Sequence, residues 1–86
     1  MPRNRSEKEV PPSRTLFEGT KIWLDSHGYM HRDNGPAYVR PDGYKSWYQH
    51  GNRHRKDGPA VEWPSGRCEW YLNGSFIRQE DPDDAP

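Results

Sequence analysis

Three short motifs recur in this chain at one fixed spacing of 23 residues. HRDNGPA at residues 31–37 returns as HRKDGPA at 54–60, PDG at 41–43 returns as PSG, and WYQHG at 47–51 returns as WYLNG. A period of about 20–50 residues is typical of stacked repeats, in which each unit buries its face only against its neighbours. The spacing therefore predicts a repeat fold, and it constrains the architecture more tightly than the function.

Turn motifs alternate with short β-favouring runs along the chain. In PDG and PSG, proline presets φ for a turn and glycine takes the left-handed position after it. The predicted hairpins therefore pair Arg40 with Tyr44 and Trp63 with Arg67. Glycine or proline interrupts every window that is long enough for a helix. We expect an all-β fold, an antiparallel meander of five to six short strands from about two and a half repeats, with disordered termini.

The same register predicts a core in which tryptophan lies opposite alanine. Continued outward from the turns, it places Ala37 opposite Trp47 and Ala60 opposite Trp70, and the small alanine leaves room for the indole. The 23-residue period adds Leu24 to this stripe. The residues expected to carry the repeat are Gly35, Pro36, Ala37, Trp47, Gly51, Gly58, Pro59, Ala60, Trp70 and Gly74.

The other face of the predicted sheet is aromatic, because side chains alternate between the two faces of a strand. Val61 and the aromatic residues beside it make this face too apolar for a purely solvated surface, so the N-terminal segment or another molecule should cover it. Aromatic and arginine side chains are also enriched in interface hot spots. The predicted partner-binding residues are Tyr38, Tyr48, Trp63, Tyr71, Arg53 and Arg55.

Composition bounds the size of the fold. Of the 86 residues only 29% are hydrophobic, against about 45–50% in typical globular domains, so we expect one small domain that is marginally stable alone. A disordered or extended N-terminal arm is expected at 1–18, a β-repeat domain at 19–78 and an acidic disordered tail at 79–86. With no signal peptide and no transmembrane segment in the sequence, the expected location is the cytoplasm.

The chain resembles the MORN repeat over about residues 21–78. That family also repeats every 23 residues, with an aromatic strand ending in x-x-Gly, which WYQHG and WYLNG match. HRxxGPA stands where the family usually has His-Gly-x-Gly, a variant similar to MORN-like repeats of small bacterial and bacteriophage proteins. The resemblance implies a binding scaffold with no catalytic residues and no cofactor. It also suggests a phage or bacterial protein that inhibits or modulates a host protein.

Histidines at repeated positions raise the question of a metal site. Equivalent histidines, such as His31 and His54 or His27 and His50, lie two strands apart, about 9–10 Å at roughly 4.8 Å per strand. That separation is too large for shared ligation of one ion, and no third ligand is evident for a pair within one repeat. We expect no metal site. The histidines and arginines are expected to tie down their own loops through backbone carbonyls.

Nucleic-acid binding is the main alternative function. Basic residues beside exposed aromatic rings contact phosphates and stack on bases in many such proteins. The candidate cations are Arg32, Arg53, Arg55 and Lys56. Against this interpretation, dedicated domains usually have a pI above about 9, whereas this chain has a pI of about 6.9. A membrane-surface role, proposed for some MORN proteins, is a second alternative, but a near-neutral chain would bind anionic lipid weakly.

Protein binding is the function that we expect. No catalytic motif is visible, and Cys68, the single cysteine, lies in mid-strand and forms no intramolecular disulfide. Too few repeats without capping units would leave edge strands open near residues 21–25 and 67–78. A homodimer or a tight complex with another protein would cover those edges, and the charged ends of the chain would then fold on the partner.

Overall fold

Strands make up the whole of the regular structure in the computed structural model, which describes residues 11–82. The strands are β1 (Arg14–Thr15), β2 (Lys21–Ile22), β3 (Tyr38–Val39), β4 (Lys45–Ser46), β5 (Tyr48–Gln49), β6 (Asn52–Arg53), β7 (Val61–Glu62), β8 (Cys68–Leu72) and β9 (Ser75–Glu80). Seven of them form one antiparallel sheet in the order β1-β2-β3-β4-β7-β8-β9, and β5 pairs with β6 in a separate hairpin. The predicted all-β antiparallel meander is confirmed, with more strands than the five to six expected.

The two hairpins predicted from PDG and PSG are present in the predicted register. The backbone N–H of Arg40 donates to the Tyr44 carbonyl at 2.9 Å, and that of Trp63 donates to the Arg67 carbonyl at the same distance. Beyond these pairs, β3 lies against β4 and β7 lies against β8 without a register shift. Turn chemistry alone was sufficient to set this pairing.

A third hairpin of the same kind precedes them and was not predicted. The Leu16 N–H donates to the Thr20 carbonyl at 2.7 Å. Gly19 has a φ of 104°, like the 105° of Gly43 and the 100° of Gly66, a conformation that glycine adopts without steric cost. Residues 11–82 therefore contain three hairpins of this kind, and residues 11–18, expected to belong to the arm, supply the first strand and its turn.

The sheet also extends past the expected C-terminal boundary. Strand β9 continues through Glu80 and pairs with β8 from Ser75 to Glu80, with a bulge at Ile77. The first residues assigned to the acidic tail therefore belong to the sheet. Residues 1–10 and 83–86, which contain most of the predicted arm and tail, lie outside the described residues.

A row of alternating tryptophan and alanine crosses the sheet. The N–H of Trp23 donates to the Ala37 carbonyl, and the N–H of Trp47 donates to the Ala60 carbonyl. Both alanines are 0% exposed and Trp23 is 7% exposed. On their other sides Ala37 and Ala60 donate to the carbonyls of Ser46 and Glu69, one residue before the predicted tryptophans. The predicted pairs of Ala37 with Trp47 and of Ala60 with Trp70 therefore stay predictions.

At the first position of this row the sequence prediction is wrong. The 23-residue period placed Leu24 there, but the structure places Trp23 in the row and Leu24 in an isolated bridge beside the following turn. The reason is the turn at 26–28, which is one residue longer than the equivalent turns at 50–51 and 73–74. Upstream of this insertion the repeat offset is 24.

The WYQHG motif forms a tight hairpin of its own. His50 and Gly51 have φ angles of 48° and 88°, and Asn73 and Gly74 have 50° and 86°. Positive φ at both central residues is the mark of a type I′ turn, whose twist matches that of the flanking strands. Each repeat is therefore a pair of hairpins, one closed at PxG and one at the WYxxG motif.

The tight alanine positions give a test of the tryptophan row. We expect Ala60→Leu to lower the free energy of unfolding by about 1–3 kcal/mol, because the larger side chain would overpack a position that is 0% exposed. Thr15→Leu on the exposed strand β1 is the matched control and should change it by less than about 0.5 kcal/mol. Urea unfolding followed by tryptophan fluorescence measures both; equal stability of the two variants would contradict the row.

Candidate functional site

The two HRxxGPA motifs fold into the same loop, in which the arginine lies flat on a tryptophan. The guanidinium carbon of Arg32 is 3.9 Å from the ring centroid of Trp23, and that of Arg55 is 4.0 Å from the ring centroid of Trp47. In each loop Nη1 donates to the carbonyl of the motif's proline, at 3.1 and 3.0 Å. The guanidinium thus combines a cation–π contact with a charged hydrogen bond that closes the loop.

The glycine of the motif is required by the arginine above it. A Cβ on Gly35 would lie 3.0 Å from the guanidinium carbon of Arg32, and a Cβ on Gly58 would lie 2.9 Å from that of Arg55. Any side chain at these positions would push the guanidinium off its tryptophan. The residue types and spacing of HRxxGPA therefore follow from the packing of the loop. The carbonyl of its proline accepts the hydrogen bond from the arginine, and its alanine is buried.

The histidine of the motif connects one repeat to the next. Nδ1 of His31 accepts the backbone N–H of His50 at 3.0 Å, and Nδ1 of His54 accepts that of Asn73 at 2.9 Å. Both N–H groups belong to the first residue of the following type I′ turn. The arginines bond to backbone carbonyls in their own loops, as expected; the histidines instead accept from the next hairpin.

A groove of about 730 Å³ runs between the two loops. Residues 32–35 and 54–57 line its two sides, and Trp47 and Gln49 lie between them. The Gln49 side-chain amide donates to the Arg32 carbonyl at 3.1 Å, which holds the floor of the groove to one wall. The groove is thus built almost entirely from repeat motifs.

Most of the basic residues predicted for nucleic-acid binding are engaged within the protein. Arg55 lies 3.2 Å from carboxylate oxygens of both Asp57 and Glu62, in addition to its contact with tryptophan. Arg32 has no carboxylate within ion-pair distance in residues 11–82 but is held by its loop. Lys56 is exposed and makes no ion pair with the described part of the chain. The free cationic charge in the groove is therefore small.

Five of the six predicted partner-binding residues share one face of the sheet. They are Tyr38, Tyr48, Arg53, Trp63 and Tyr71. Arg55 is separated from them, because it lies over Trp47 on the opposite face. Nη1 of Arg53 donates to the Tyr71 hydroxyl at 3.2 Å, and its guanidinium carbon is 5.2 Å from that ring. Burial lowers the pKa of Arg53, but hydrogen bonding to Tyr48 and Tyr71 outweighs this effect and raises it.

Tyr44 organises one half of this face, and the sequence analysis missed its role. The Tyr44 side chain is buried, and its ring packs edge-on against Tyr38 at 5.8 Å and against Trp63 at 4.6 Å. Arg40 covers it from the turn, 4.7 Å above the ring. Side chains alternate between the two faces of a strand, so the predicted pair of Arg40 and Tyr44 already implied that the Tyr44 ring shares a face with Tyr38.

Glu69 joins the two halves of the face. Its carboxylate accepts from Nε1 of Trp63 at 3.2 Å and from the hydroxyl of Tyr71 at 3.3 Å. Nε of Arg67 lies 3.3 Å from the same carboxylate, whose side chain is only 12% exposed. The indole of Trp63 is therefore held in a fixed orientation from below by Tyr44 and from the side by Glu69.

Exposure on this face is concentrated at two residues. Trp63 is 37% exposed and Phe76 is 54% exposed, whereas Tyr38, Tyr48 and Tyr71 are half-buried. Phe76 packs edge-on against Tyr71 at 5.5 Å and extends the face to strand β9. We use the term aromatic face for Tyr38, Tyr44, Tyr48, Trp63, Tyr71 and Phe76.

Cys68 is half-buried, and its thiol lies 3.6 Å from the Gly66 carbonyl. Burial raises the pKa of this thiol, and the neighbouring Glu62 and Glu80 raise it further, so the thiol stays protonated at neutral pH. Between residues 11 and 82 no three His, Cys, Asp or Glu side chains converge as a metal site would require. The same stretch contains no helix long and apolar enough to span a bilayer.

The stacked arginine gives a matched pair of substitutions at neighbouring positions. We expect Arg55→Lys to lower the free energy of unfolding by about 1–2 kcal/mol, because an ammonium group cannot both cover the indole and reach the proline carbonyl. Lys56→Arg alters an exposed side chain without partners and should leave stability within about 0.5 kcal/mol. Chemical denaturation compares them; a harmless Arg55→Lys would show that the stack contributes little.

Asp25 holds the longer first turn and links it to the second. Oδ1 accepts the N–H groups of His27 and Tyr29 at 2.8 and 3.0 Å, and Oδ2 lies 2.7 Å from Nδ1 of His50. The hydrogen bond to His50 is the main cause that lowers the pKa of Asp25 to about 2, helped by the backbone N–H groups and opposed by desolvation. His50 in turn stacks on His31 at a ring separation of 4.0 Å.

The depressed pKa of Asp25 predicts acid sensitivity. Its folded pKa of about 2 lies below the ordinary aspartate value of 3.8, so the carboxylate stabilises the fold above pH 3.8 and this contribution disappears as the pH falls toward 2. Asp25→Asn keeps an acceptor for the turn but removes the titration. We expect the melting temperature of Asp25→Asn to fall less steeply over this interval; identical slopes would contradict the assignment.

Comparison with known proteins finds no matching family, no similar curated protein and no similar solved structure. The aromatic face and the groove between the two HRxxGPA loops are therefore the features of this chain that bear on its function.

Proposed function

We propose that this chain is a non-enzymatic protein-binding module and that it binds its partner through the aromatic face. The observation that carries this proposal is the fixed, partly exposed indole of Trp63. Its ring is packed against buried Tyr44 and hydrogen-bonded to Glu69, so it is already ordered before a partner arrives. A preordered aromatic anchor loses little side-chain entropy on binding, which is the property of interface hot spots.

The surroundings of Trp63 also suit a protein partner. Apolar rings are interleaved with charged groups at the rim, such as the ion pair of Arg40 with Asp42 at 2.6 Å. Phe76 offers a second exposed ring at the far end of the face. An apolar centre bordered by polar groups is the usual composition of a protein–protein interface.

The proposal also names the family of the repeat and the kind of partner. We propose a MORN-like assignment, which is supported by the recurrence of HRxxGPA and WYxxG in equivalent loops and turns. The variant motif is similar to that of repeats in small bacterial and bacteriophage proteins. We therefore propose a cytoplasmic protein, of phage or bacterial type, that inhibits or modulates a host protein.

Nucleic-acid binding in the loop groove is the second candidate. It is favoured by exposed Lys56 and by Arg32, which faces no carboxylate among the described residues. Asp33 and Asp57 lie in the same groove, however, and would repel phosphate groups. The guanidinium groups would also have to leave tryptophan rings to make phosphate contacts. The aromatic face is therefore the stronger candidate.

Affinity capture with matched variants tests the proposal. The tagged protein is incubated with bacterial lysate, with and without nuclease and high salt, and bound proteins are identified by mass spectrometry. We expect one stoichiometric protein to survive both treatments, and its affinity to fall at least tenfold in Trp63→Ala, as for a hot spot of about 2 kcal/mol. Phe17→Ala, at a fully exposed ring outside the face, should bind normally.

Folding controls and opposite outcomes complete this experiment. Far-UV circular dichroism and thermal melting establish that Trp63→Ala is folded, and Trp63→Phe retains the packing on Tyr44 should the alanine variant unfold. Equal capture by all folded variants would exclude the aromatic face. Loss of every bound protein after nuclease, together with a salt-sensitive mobility shift that Lys56→Glu abolishes, would favour the groove and nucleic acid instead.

A further inference from the structure

The sequence contains two Asn-Gly pairs, and the structure holds them in different ways. They are Asn34–Gly35 in the first HRxxGPA loop and Asn73–Gly74 in the type I′ turn at 73–74. Asn-Gly is the dipeptide most prone to spontaneous deamidation, because glycine has no side chain to keep its backbone nitrogen away from the asparagine amide carbon. Whether the reaction occurs in a folded protein depends on how firmly the local backbone is held.

Asn73–Gly74 is held through both of its backbone N–H groups. The N–H of Asn73 donates to Nδ1 of His54 at 2.9 Å, and the N–H of Gly74 donates to the Arg53 carbonyl at 2.8 Å. Asn73 has a φ of 50°, as the first central residue of a type I′ turn requires. The Gly74 nitrogen can therefore attack the Asn73 side chain only after the turn has opened and this hydrogen bond has broken.

Asn34–Gly35 has no such restraint. Among residues 11–82 no group accepts the N–H of Gly35, and Asn34, which is exposed, makes no side-chain hydrogen bond. The guanidinium carbon of Arg32 lies 3.0 Å from the place that a Cβ on Gly35 would take. A neighbouring cation favours the negative charge that develops as the Gly35 nitrogen loses its proton and attacks.

We propose that Asn34 is a site of spontaneous deamidation in the folded protein, whereas Asn73 is protected. The Gly35 nitrogen gives up its proton and bonds to the side-chain amide carbon of Asn34, and ammonia leaves to give a five-membered cyclic imide. Water then opens this ring at either of its carbonyl groups, which yields aspartate or isoaspartate at position 34. Overall the chain gains water and loses ammonia. This inference is independent of the proposed function, because the reaction requires no partner.

The second repeat shows the arrangement that the aspartate product would adopt. Asp57 stands where the first repeat, 23 residues earlier, has Asn34. Oδ1 of Asp57 lies 3.2 Å from Nε of Arg55, whereas the equivalent Arg32 has no carboxylate within ion-pair distance among the described residues. Deamidation would therefore give Arg32 the partner that Arg55 already has, and both loops would then have the same charge at this position.

The new charge would lie in the groove between the two loops, because Asn34 lines that groove. A carboxylate at position 34 would offset the positive charge of Arg32, which lines the same wall. Deamidation would thus weaken the attraction of phosphate groups to the groove. The aromatic face lies on the opposite side of the sheet from Trp47 and would keep its charge.

Peptide mapping by mass spectrometry compares the two pairs within one molecule. Trypsin places Asn34 in the peptide 33–45 and Asn73 in the peptide 68–78, so the two deamidations are measured separately. After incubation of the purified protein at mildly alkaline pH, we expect Asn34 to react at least about tenfold faster than Asn73, which corresponds to about 1.4 kcal/mol for opening the turn at 73–74. In concentrated urea both should react at similar rates, because unfolding removes the protection of Asn73.

Matched variants identify the product. On ion-exchange chromatography the incubated parent should show a more acidic species that elutes near Asn34→Asp. Asn34→Gln should lack this species, because glutamine would have to form a larger ring, whereas Asn73→Gly, which suits the same turn, should still form it. Far-UV circular dichroism establishes that the variants are folded. Equal rates at Asn34 and Asn73 in the folded protein, or an equal amount of the acidic species in Asn34→Gln, would overturn the proposal.

Discussion

The rest of the structure depends on the row of tryptophan and alanine that crosses the sheet. Ala37 and Ala60 are fully buried, each opposite a tryptophan of a neighbouring strand, and arginine covers the rings of Trp23 and Trp47. A chain with so few aliphatic residues obtains its core from a few large rings, each of which buries about 150–250 Å². The loops are part of this core, because their guanidinium groups cover it.

This arrangement separates stability from binding. Arg32 and Arg55 have the charge and the neighbours of nucleic-acid ligands, yet each is held against a tryptophan by a glycine that admits it and a proline carbonyl that accepts from it. The opposite face contains rings that are ordered but incompletely covered, above all Trp63. One face of the sheet thus serves the repeat, and the other is available to a partner.

The two ends of the array differ in structure. The N-terminal end begins with a complete hairpin whose outer strand, β1, is short. The C-terminal end omits the loop, and Arg78 takes the place of loop and alanine together. Because a repeat buries its face only against a neighbour, the terminal strand β9 retains exposed apolar residues.

The sequence by itself determined the local structure: the PxG hairpins, and the position of Trp63 on the aromatic face. These follow from turn chemistry and side-chain alternation, which act over a few residues. Only the tertiary structure decided what depends on contacts between repeats. Because the first turn is one residue longer, Trp23 takes the position that the repeat period gave to Leu24. Glu69 connects the rings of Trp63 and Tyr71, which lie on separate strands. Arg55 lies on the face opposite to the predicted one, because its guanidinium packs on Trp47.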